Sequence, residues 1–563
     1  MGQQVKVKFL STVGFCVIAA AIASSAPAPA QDDNGHDRHP HDIQTATPIK
    51  HLVVIFNENR SFDHYFATYP NAANPTGSIP FVPKPHTPKV NNLANANLLV
   101  NNPNTNPANG TGATNPFRLD RTQANTKSQN HAYTPEQQAY DNGKADLFPK
   151  YTGRGTSGGV GAFGTNGQVM GYFDGNTVTA FWNYAQNFAM SDNNYTDTYG
   201  PSTPGAIEVI SGQTNGVQNI VGTSSSVPDG QGGLTLIGDT DPAYDLCSSK
   251  TSTMLLTGKN IGDLLNAEHI SWGSFMGGFN ITLRNTNGTV GCARSTFSST
   301  VGGTIVDYIP HHAWFQYYKS TANPYHLRPS STNAIGHTYA ADGKTVDPAN
   351  HGYDLEDFYA AVKAGNFPAV SYIKMPAYQD GHPGNSDPLD EQVGNVELIN
   401  FLQQQPEWGE TAVIVTYDDS DGWYDHAYAV PTSASYDPTA DQVNGPGQCG
   451  LGVGKQTQPK GLNGQPVNGR CGPGTRTPFL LISPYAKQNF VSHTRISQAS
   501  VVRFVEDNWL RGQRLGGGSF DDGVESIMDM FDFDHGDDRQ NKLFLDPTAG
   551  TVIVSPSDDH HNH

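Results

Sequence analysis

Two short polar blocks, each directly behind an apolar run, carry side chains suited to metal and phosphate chemistry. The first, Asn57-Glu58-Asn59-Arg60-Ser61-Phe62-Asp63-His64-Tyr65-Phe66, follows the run from His51 to Phe56. The second, Asp418-Asp419-Ser420-Asp421-Gly422-Trp423-Tyr424-Asp425-His426, follows the run from Thr411 to Tyr417. Carboxylate and amide oxygens suit hard or borderline divalent cations, and imidazole nitrogens extend the choice toward zinc and its neighbours. Either block alone reads equally well as acids capping turns after strands. Together, two strand ends rich in acids can converge on one cation.

A hydroxyl and four imidazoles add nucleophilic and acid–base capacity. Ser202 lies in Gly200-Pro201-Ser202-Thr203-Pro204-Gly205, where it can cap a helix whose first turn includes Pro204. A helix N-terminus stabilises a phosphate through its free N–H groups and dipole. The apolar residues Ile207 to Ile210 that follow fit that helix or a short strand, and periodicity does not decide between them. His311 and His312 are adjacent beside the aromatic cluster Trp314 to Tyr318, while His131 and His382 stand in loop-like contexts.

These groups need a scaffold that gathers distant segments. Strand-like runs at His51–Phe56, 369–373, 411–417 and 479–482 alternate with helical stretches such as 393–404 and 496–510, which favours a mixed or parallel sheet flanked by helices. Open α/β sheets present ligands at the C-terminal ends of their strands, where both polar blocks fall. Residues 70–130, rich in Asn, Pro and Thr, read as a long surface excursion rather than core. Gly153 to Gly171 is glycine-dense but has no G-x-x-x-x-G-K pattern, so a P-loop is not supported.

Composition narrows the function classes. A formal net charge of −19 with 33 Lys plus Arg argues against a nucleic-acid partner. Residues 1–30 combine Lys6 and Lys8, an apolar segment from Phe9 to Ile22 and Ala28-Pro29-Ala30, the pattern of a secretory signal peptide. A membrane anchor is the weaker reading, because the apolar segment is short and broken by Ser11, Thr12 and Gly14, and no later segment is long and apolar enough to span a bilayer. Secretion or a periplasmic location follows. Cleavage removes Cys16 and leaves Cys247, Cys292, Cys449 and Cys471; two disulfides between sequence neighbours are the simplest of the three connectivities. Residues 31–46 read as a disordered linker, 47–550 as one catalytic domain and 551–563 as a His/Asp-rich tail.

The first polar block, the Gly200-Pro201-Ser202 turn, the His311-His312 pair and the second polar block resemble, in that order, the bacterial phosphoesterase family. That family includes haemolytic and non-haemolytic phospholipases C and a respiratory-burst-inhibiting acid phosphatase. The resemblance runs from about Ile49 to Leu510. It implies an alkaline-phosphatase-like three-layer α/β/α sandwich with a mixed, mostly parallel sheet and long loop insertions, and metal-dependent hydrolysis of phosphate esters. Glu58, Asn59, Asp418 and Asp419 would hold a divalent metal, with Ser202 both ligand and nucleophile. His131, His311, His312 and His382 would surround the phosphoryl group or assist the leaving group. Many phospholipase members carry Thr at the nucleophile position and Asp-Glu where this chain has Asp418-Asp419, which brings Ser202 closer to the acid phosphatase branch. The expected function is an acid phosphatase acting through a phosphoserine, with histidines charged near or below about pH 6.5 favouring an acidic optimum; a phospholipase C cleaving phosphatidylcholine-type diesters is the alternative. A sulfatase would need C-x-P-x-R, which Cys471-Gly-Pro473-Gly-Thr475-Arg476 misses by one residue. A non-enzymatic exported binding protein would leave the strand-end acids and paired histidines without a purpose.

Overall fold

A computed structural model describes residues 1–2, 44–450, 457–534 and 541–553. The expected signal peptide, the linker up to residue 43 and the tail from residue 554 lie outside the described residues. Gln44–His563 forms one compact unit. Among the described residues, no helix is long and apolar enough to cross a membrane.

The unit is organised on an eight-stranded sheet: β1 (His51–Asn57), β2 (Ala189–Ser191), β3 (Trp272–Met276), β4 (Gly352–Asp354), β5 (Val370–Lys374), β6 (Thr411–Tyr417), β7 (Phe479–Ile482) and β8 (Phe490–Ser492). Their spatial order is β4-β3-β5-β1-β6-β7-β2-β8. Every neighbouring pair is parallel except the two that involve β7, which runs against β6 and β2. Buried parallel strands read as continuous β-branched runs because both faces are covered, and β1 and β6 are buried along their full length. Their register matters most for the site. His51 pairs with Thr411 and Asn57 with Tyr417, so the two strands end level and release Glu58 and Asp418 side by side.

The first polar block forms the short helix α1 (Phe62–Phe66), and alternation along the central strands assigns the layers. Asn57 and Tyr417 point to α3 (Pro388–Gln403), where both bond Glu391, at 3.0 and 2.6 Å. Tyr372 points to the opposite face, toward Glu506 of α4 (Ala499–Trp509), and α4 packs against α2 (Ser202–Ser211). This is the three-layer α/β/α arrangement with a mixed, mostly parallel sheet.

Ile207–Ile210 resolve as part of α2, every residue of which is buried. Ser202 does not cap it. Pro201 holds the cap position and Ser202 begins the helix, so its hydroxyl is free for other partners. The helix meets the end of β6 at Gly205, where an added Cβ would lie 2.0 Å from the Asp418 carbonyl oxygen. Residues 70–130 are largely irregular, but they are not merely a surface excursion: Phe81, Val90, Leu93 and Leu119 are buried, and Asn92, Asn102 and Asn104 satisfy backbone groups from inside. Asparagine can serve as core here because its amide replaces missing backbone partners. The disulfides join Cys247 to Cys292 and Cys449 to Cys471, the neighbour pairing.

Gly205→Ala tests this approach directly. The clash with Asp418 can be relieved only by moving α2 or β6, so destabilisation of about 1–3 kcal/mol is expected, together with misplacement of Ser202. A thermal unfolding midpoint equal to that of the wild type would refute the close contact.

Candidate active site

The two polar blocks are clasped to each other before they build anything else. Arg60 N–H donates to the Asp419 carbonyl at 3.0 Å and the Asn59 N–H to Asp418 Oδ1 at 2.9 Å. Asp63 N–H donates to Asp425 Oδ2 and His426 N–H returns to Asp63 Oδ2, both at 2.9 Å. His426 Nδ1 lies 2.5 Å from the same Asp63 oxygen, and Arg476, stacked over Phe62, bridges Asp63 and Asp425 at 3.3 and 3.0 Å. His64 stacks on Trp423 with ring centres 3.9 Å apart. Arg60, Asp63, His64, Asp425 and His426 are thus spent on holding the loops. Asn59 takes a left-handed conformation, φ 61°, which turns its amide inward and which asparagine tolerates better than most residues.

The clasp brings together five oxygen-bearing side chains, all buried: Glu58, Asn59, Ser202, Asp418 and Asp419. Ser202 Oγ stands 3.1 Å from Glu58 Oε2, 3.2 Å from Asp419 Oδ2 and 3.4 Å from Asn59 Oδ1. Asn59 Oδ1 faces Glu58 Oε2 at 2.7 Å and Asp418 Oδ1 at 3.2 Å, acceptor against acceptor. Turning the amide over would relieve this, but His382 argues against it. Nδ1 of His382 lies 2.8 Å from the Pro383 carbonyl, which requires its proton there. Burial keeps the ring neutral, with its pKa pushed down to about 4. Nε2 is therefore an acceptor, and at 3.2 Å it takes a hydrogen bond from Asn59 Nδ2. The Asn59 oxygen is left among carboxylates, a geometry that a cation satisfies. Ligand oxygens on an octahedral ion at about 2.1 Å are separated by about 3 Å, the spacing seen here.

Electrostatics favour a cation at this centre. Burial first, then Lys374 acting against it and Asp380 with it, leaves Glu58 pushed up to about 7. Burial and the neighbouring carboxylates hold Asp418 and Asp419 well above the usual range. Crowded acids of this kind retain protons or recruit a cation.

The four sequence-selected histidines form a row beside this centre. Ring centres lie 4.5 Å apart from His311 to His312, 6.4 Å from His312 to His382 and 6.1 Å from His382 to His131. They do not share one protonation state. Burial acts to discharge His131, but Asp419 and Asp421 override it and hold the ring charged well above its ordinary value. His311 is raised likewise: Asp241 and Asp239 outweigh its burial. His312 is driven well below its ordinary value by burial and by the charges of His311 and Lys374. Beside His131 opens a cavity of about 520 Å³, lined by Tyr133, Arg154, Ser225 and Asp239 among others.

The profile of the Phosphoesterase family matches residues 49–510. The chain belongs to the Phosphoesterase family. Curated relatives include a non-hemolytic phospholipase C of Pseudomonas aeruginosa, 22% identical over 510 residues that cover 88% of this chain and 58% of the relative. Phospholipase C B of Mycobacterium tuberculosis is 23% identical over 82% of this chain and 73% of its own length. The chain spans somewhat over half the length of the Pseudomonas and Burkholderia relatives it matches. Among solved structures, a mutant of the alkaline phosphatase PafA aligns with 63% of this chain and 94% of its own at 11% identity, with a TM-score of 0.28, too low to bear on the site.

Several residues of this candidate site escaped sequence reasoning. Lys374 ends β5 and its ammonium bonds Glu58 Oε1, and Asp380 lies in the same nest. The strand-end logic that singled out Glu58 and Asp418 applies equally to Lys374. Glu136 had no such signal; it ties the Ser202 turn to the second block through Gly200 N–H at 3.0 Å and Ser420 Oγ at 2.8 Å.

The Asp63–His426 pair yields a pH prediction. Asp63 is held below its ordinary value because His426 and Arg476 overcome its burial, and His426 is held above its own because Asp63 overcomes its burial. The acid's contribution is full above about pH 3.9 and lost as pH falls through its folded pKa; the imidazole's is full below about pH 6.5 and lost as pH rises through its folded pKa. His426→Gln is therefore expected to destabilise by about 3 kcal/mol, most strongly between about pH 4 and about pH 6.5. Denaturant midpoints of wild type and variant across pH 3–9 measure it; a pH-independent gap would contradict the ion pair.

Proposed function

We propose that the protein is an exported, divalent-metal-dependent phosphoric ester hydrolase that works through a phosphoserine at Ser202, acting on monoesters as an acid phosphatase. The observation that carries this reading is the Ser202 hydroxyl at the start of a buried helix, 3.1 to 3.4 Å from Glu58, Asn59 and Asp419. Two disulfides fit an oxidising compartment, in keeping with the leader pattern of residues 1–30.

A divalent ion held by Glu58, Asn59, Ser202, Asp418 and Asp419 would supply Lewis acidity that lowers the serine pKa and offsets phosphoryl charge. The chain's own residues account for the remaining steps. The Ser202 proton passes to an adjacent carboxylate, Glu58 Oε2 or Asp419 Oδ2. Oγ attacks phosphorus while the bond from phosphorus to the leaving oxygen breaks. His131, charged and next to Asn59, offsets the phosphoryl oxygens. His311, also charged and partly exposed, gives its proton to the leaving oxygen, then as a neutral base takes one from the water that opens the phosphoserine. Inorganic phosphate is released and Ser202 regains a proton. Because His311 stays charged beyond its ordinary range, loss of activity with rising pH is expected above about pH 6.5 rather than below it.

The curated relatives favour a second reading, cleavage of a phospholipid diester, since those named above are phospholipases C. Hydrolysis of p-nitrophenyl phosphate beside p-nitrophenyl phosphorylcholine separates the two. Ser202→Ala is expected to reduce turnover of the preferred ester at least about 1,000-fold, as does stripping divalent metal, because each removes a group acting in the transition state. Full activity in Ser202→Ala would end the phosphoserine proposal; preference for the choline diester would replace the phosphatase reading with phospholipase C.

His311 has its own test. A protonated acid matters most for poor leaving groups, so His311→Gln is expected to slow hydrolysis of an alkyl phosphate by about 100-fold or more, yet hardly affect p-nitrophenyl phosphate. Equal losses on both esters would assign His311 to binding instead.

A further inference from the structure

Glu58 has two oxygens with different surroundings. Oε2 faces Ser202, and Oε1 faces a separate buried nest made with His312 and Asp380. His312 Nδ1 lies 3.3 Å from Glu58 Oε1 and 3.7 Å from Asp380 Oδ2. One ligand atom from each of the three residues falls within 4.8 Å of the others, and all three are buried. Asp380 Oδ2 is fully buried and has no hydrogen-bond donor, although its other oxygen accepts the His382 N–H at 3.0 Å. Two carboxylates and a neutral imidazole are a donor set for a borderline divalent cation. The nest is not empty of charge, however. The Lys374 ammonium, delivered by the end of β5 and buried with its side chain 3% exposed, bonds Glu58 Oε1.

We infer that Lys374 is a built-in cation that fills a second metal position formed by Glu58, His312 and Asp380, and so restricts the centre to one ion. The inference rests on the reading of the Ser202 centre as that one metal site. Three features carry it. Three donor atoms, one each from Glu58, His312 and Asp380, meet there without any contribution from Lys374. The ammonium hydrogen-bonds one of its two carboxylates and leaves Asp380 Oδ2 without a donor, as expected where a single charge on a tether substitutes for a divalent ion. Glu58, shared by both positions, is fixed through Oε1 and keeps Oε2 for the Ser202 side. Lys374 is in this sense a positioning residue: it gives the second position a charge that requires no metal supply and holds Glu58 at a set angle to the nucleophile.

Metal content per chain tests this. Purified full-length protein is exposed to excess Zn²⁺ or Mn²⁺, dialysed and counted by inductively coupled plasma mass spectrometry. One ion is expected in the wild type, two in Lys374→Met, and one in the Lys374→Met, Asp380→Asn double variant. Asp380→Asn alone should keep one ion, because the nest holds no metal in the native chain. Two ions in the wild type, or one in Lys374→Met with an unfolding midpoint like that of the wild type, overturns the inference. So does loss of the native ion in Asp380→Asn. Should Lys374→Met fail to fold, Lys374→Gln takes its place, with two ions expected and one ion overturning the inference. The proposed function fails separately: no ion in the wild type with one in Lys374→Met removes the metal reading of the Ser202 centre and leaves the role of Lys374 standing, while no ion in either removes both.

Discussion

Repulsion among buried carboxylates is the constraint on which the rest of this structure depends. Glu58, Asp380, Asp418 and Asp419 emerge together from the ends of three neighbouring parallel strands or the turns that follow them, out of reach of solvent. Such acids can stay close only if protons, fixed cations or a bound ion offset their charge. The fold answers with Lys374 on one side and the charged His131 on another. The acceptor-against-acceptor contacts of Asn59 mark where the compensation by the chain itself stops.

That arrangement would not hold on loops left to themselves. Each polar block leaves its strand through a left-handed residue, Asn59 in the first and Asp421 in the second, and the two are locked by reciprocal bonds through Asp63 and Asp425. Level strand register sets where the blocks begin, and the clasp sets how they turn. Gly205 then lets α2 approach the Asp418 carbonyl closely enough for Ser202 to reach three of its neighbours. Stability and the site therefore share the same residues: Arg476 and His426 touch none of the five oxygens, yet their loss loosens the loops that carry Glu58 and Asp419.

Much of this was legible in the chain because it rests on local pattern. Doubly buried strands announce themselves as β-branched runs, and 411–417 and 479–482 have the expected bounds. The blocks that carry Glu58, Asn59, Asp418 and Asp419 stand out by their position after such runs, Ser202 by its place before Pro204 and His311-His312 by adjacency, while the family resemblance groups them with His131 and His382. What escaped depended on three-dimensional partners. Ser202 looked like a cap because a serine before Pro204 satisfies the local rule; only the approach of β6 shows Pro201 at the cap and the hydroxyl turned away. Asn92 and Asn104 read as surface because composition does not distinguish an amide facing water from one completing buried backbone. Glu136 sits in an ordinary helical stretch, and its bonds to Gly200 and Ser420 span 64 and 284 residues.

The histidine row shows how position alone divides one chemical type into two functions. His131 and His311 face Asp421, Asp239 and Asp241, and carboxylates so close favour the imidazolium even against burial. His312 lies between His311 and Lys374, and His382 next to His131, so neighbouring positive charge adds to burial and both stay neutral. A neutral ring accepts a hydrogen bond, as His382 does from Asn59, and thereby orients a side chain at the centre. A charged ring instead presents positive charge and two N–H donors. Alternating acids and bases around a row of otherwise identical side chains thus supplies both a neutral, orienting ring and a charged one at the same pH.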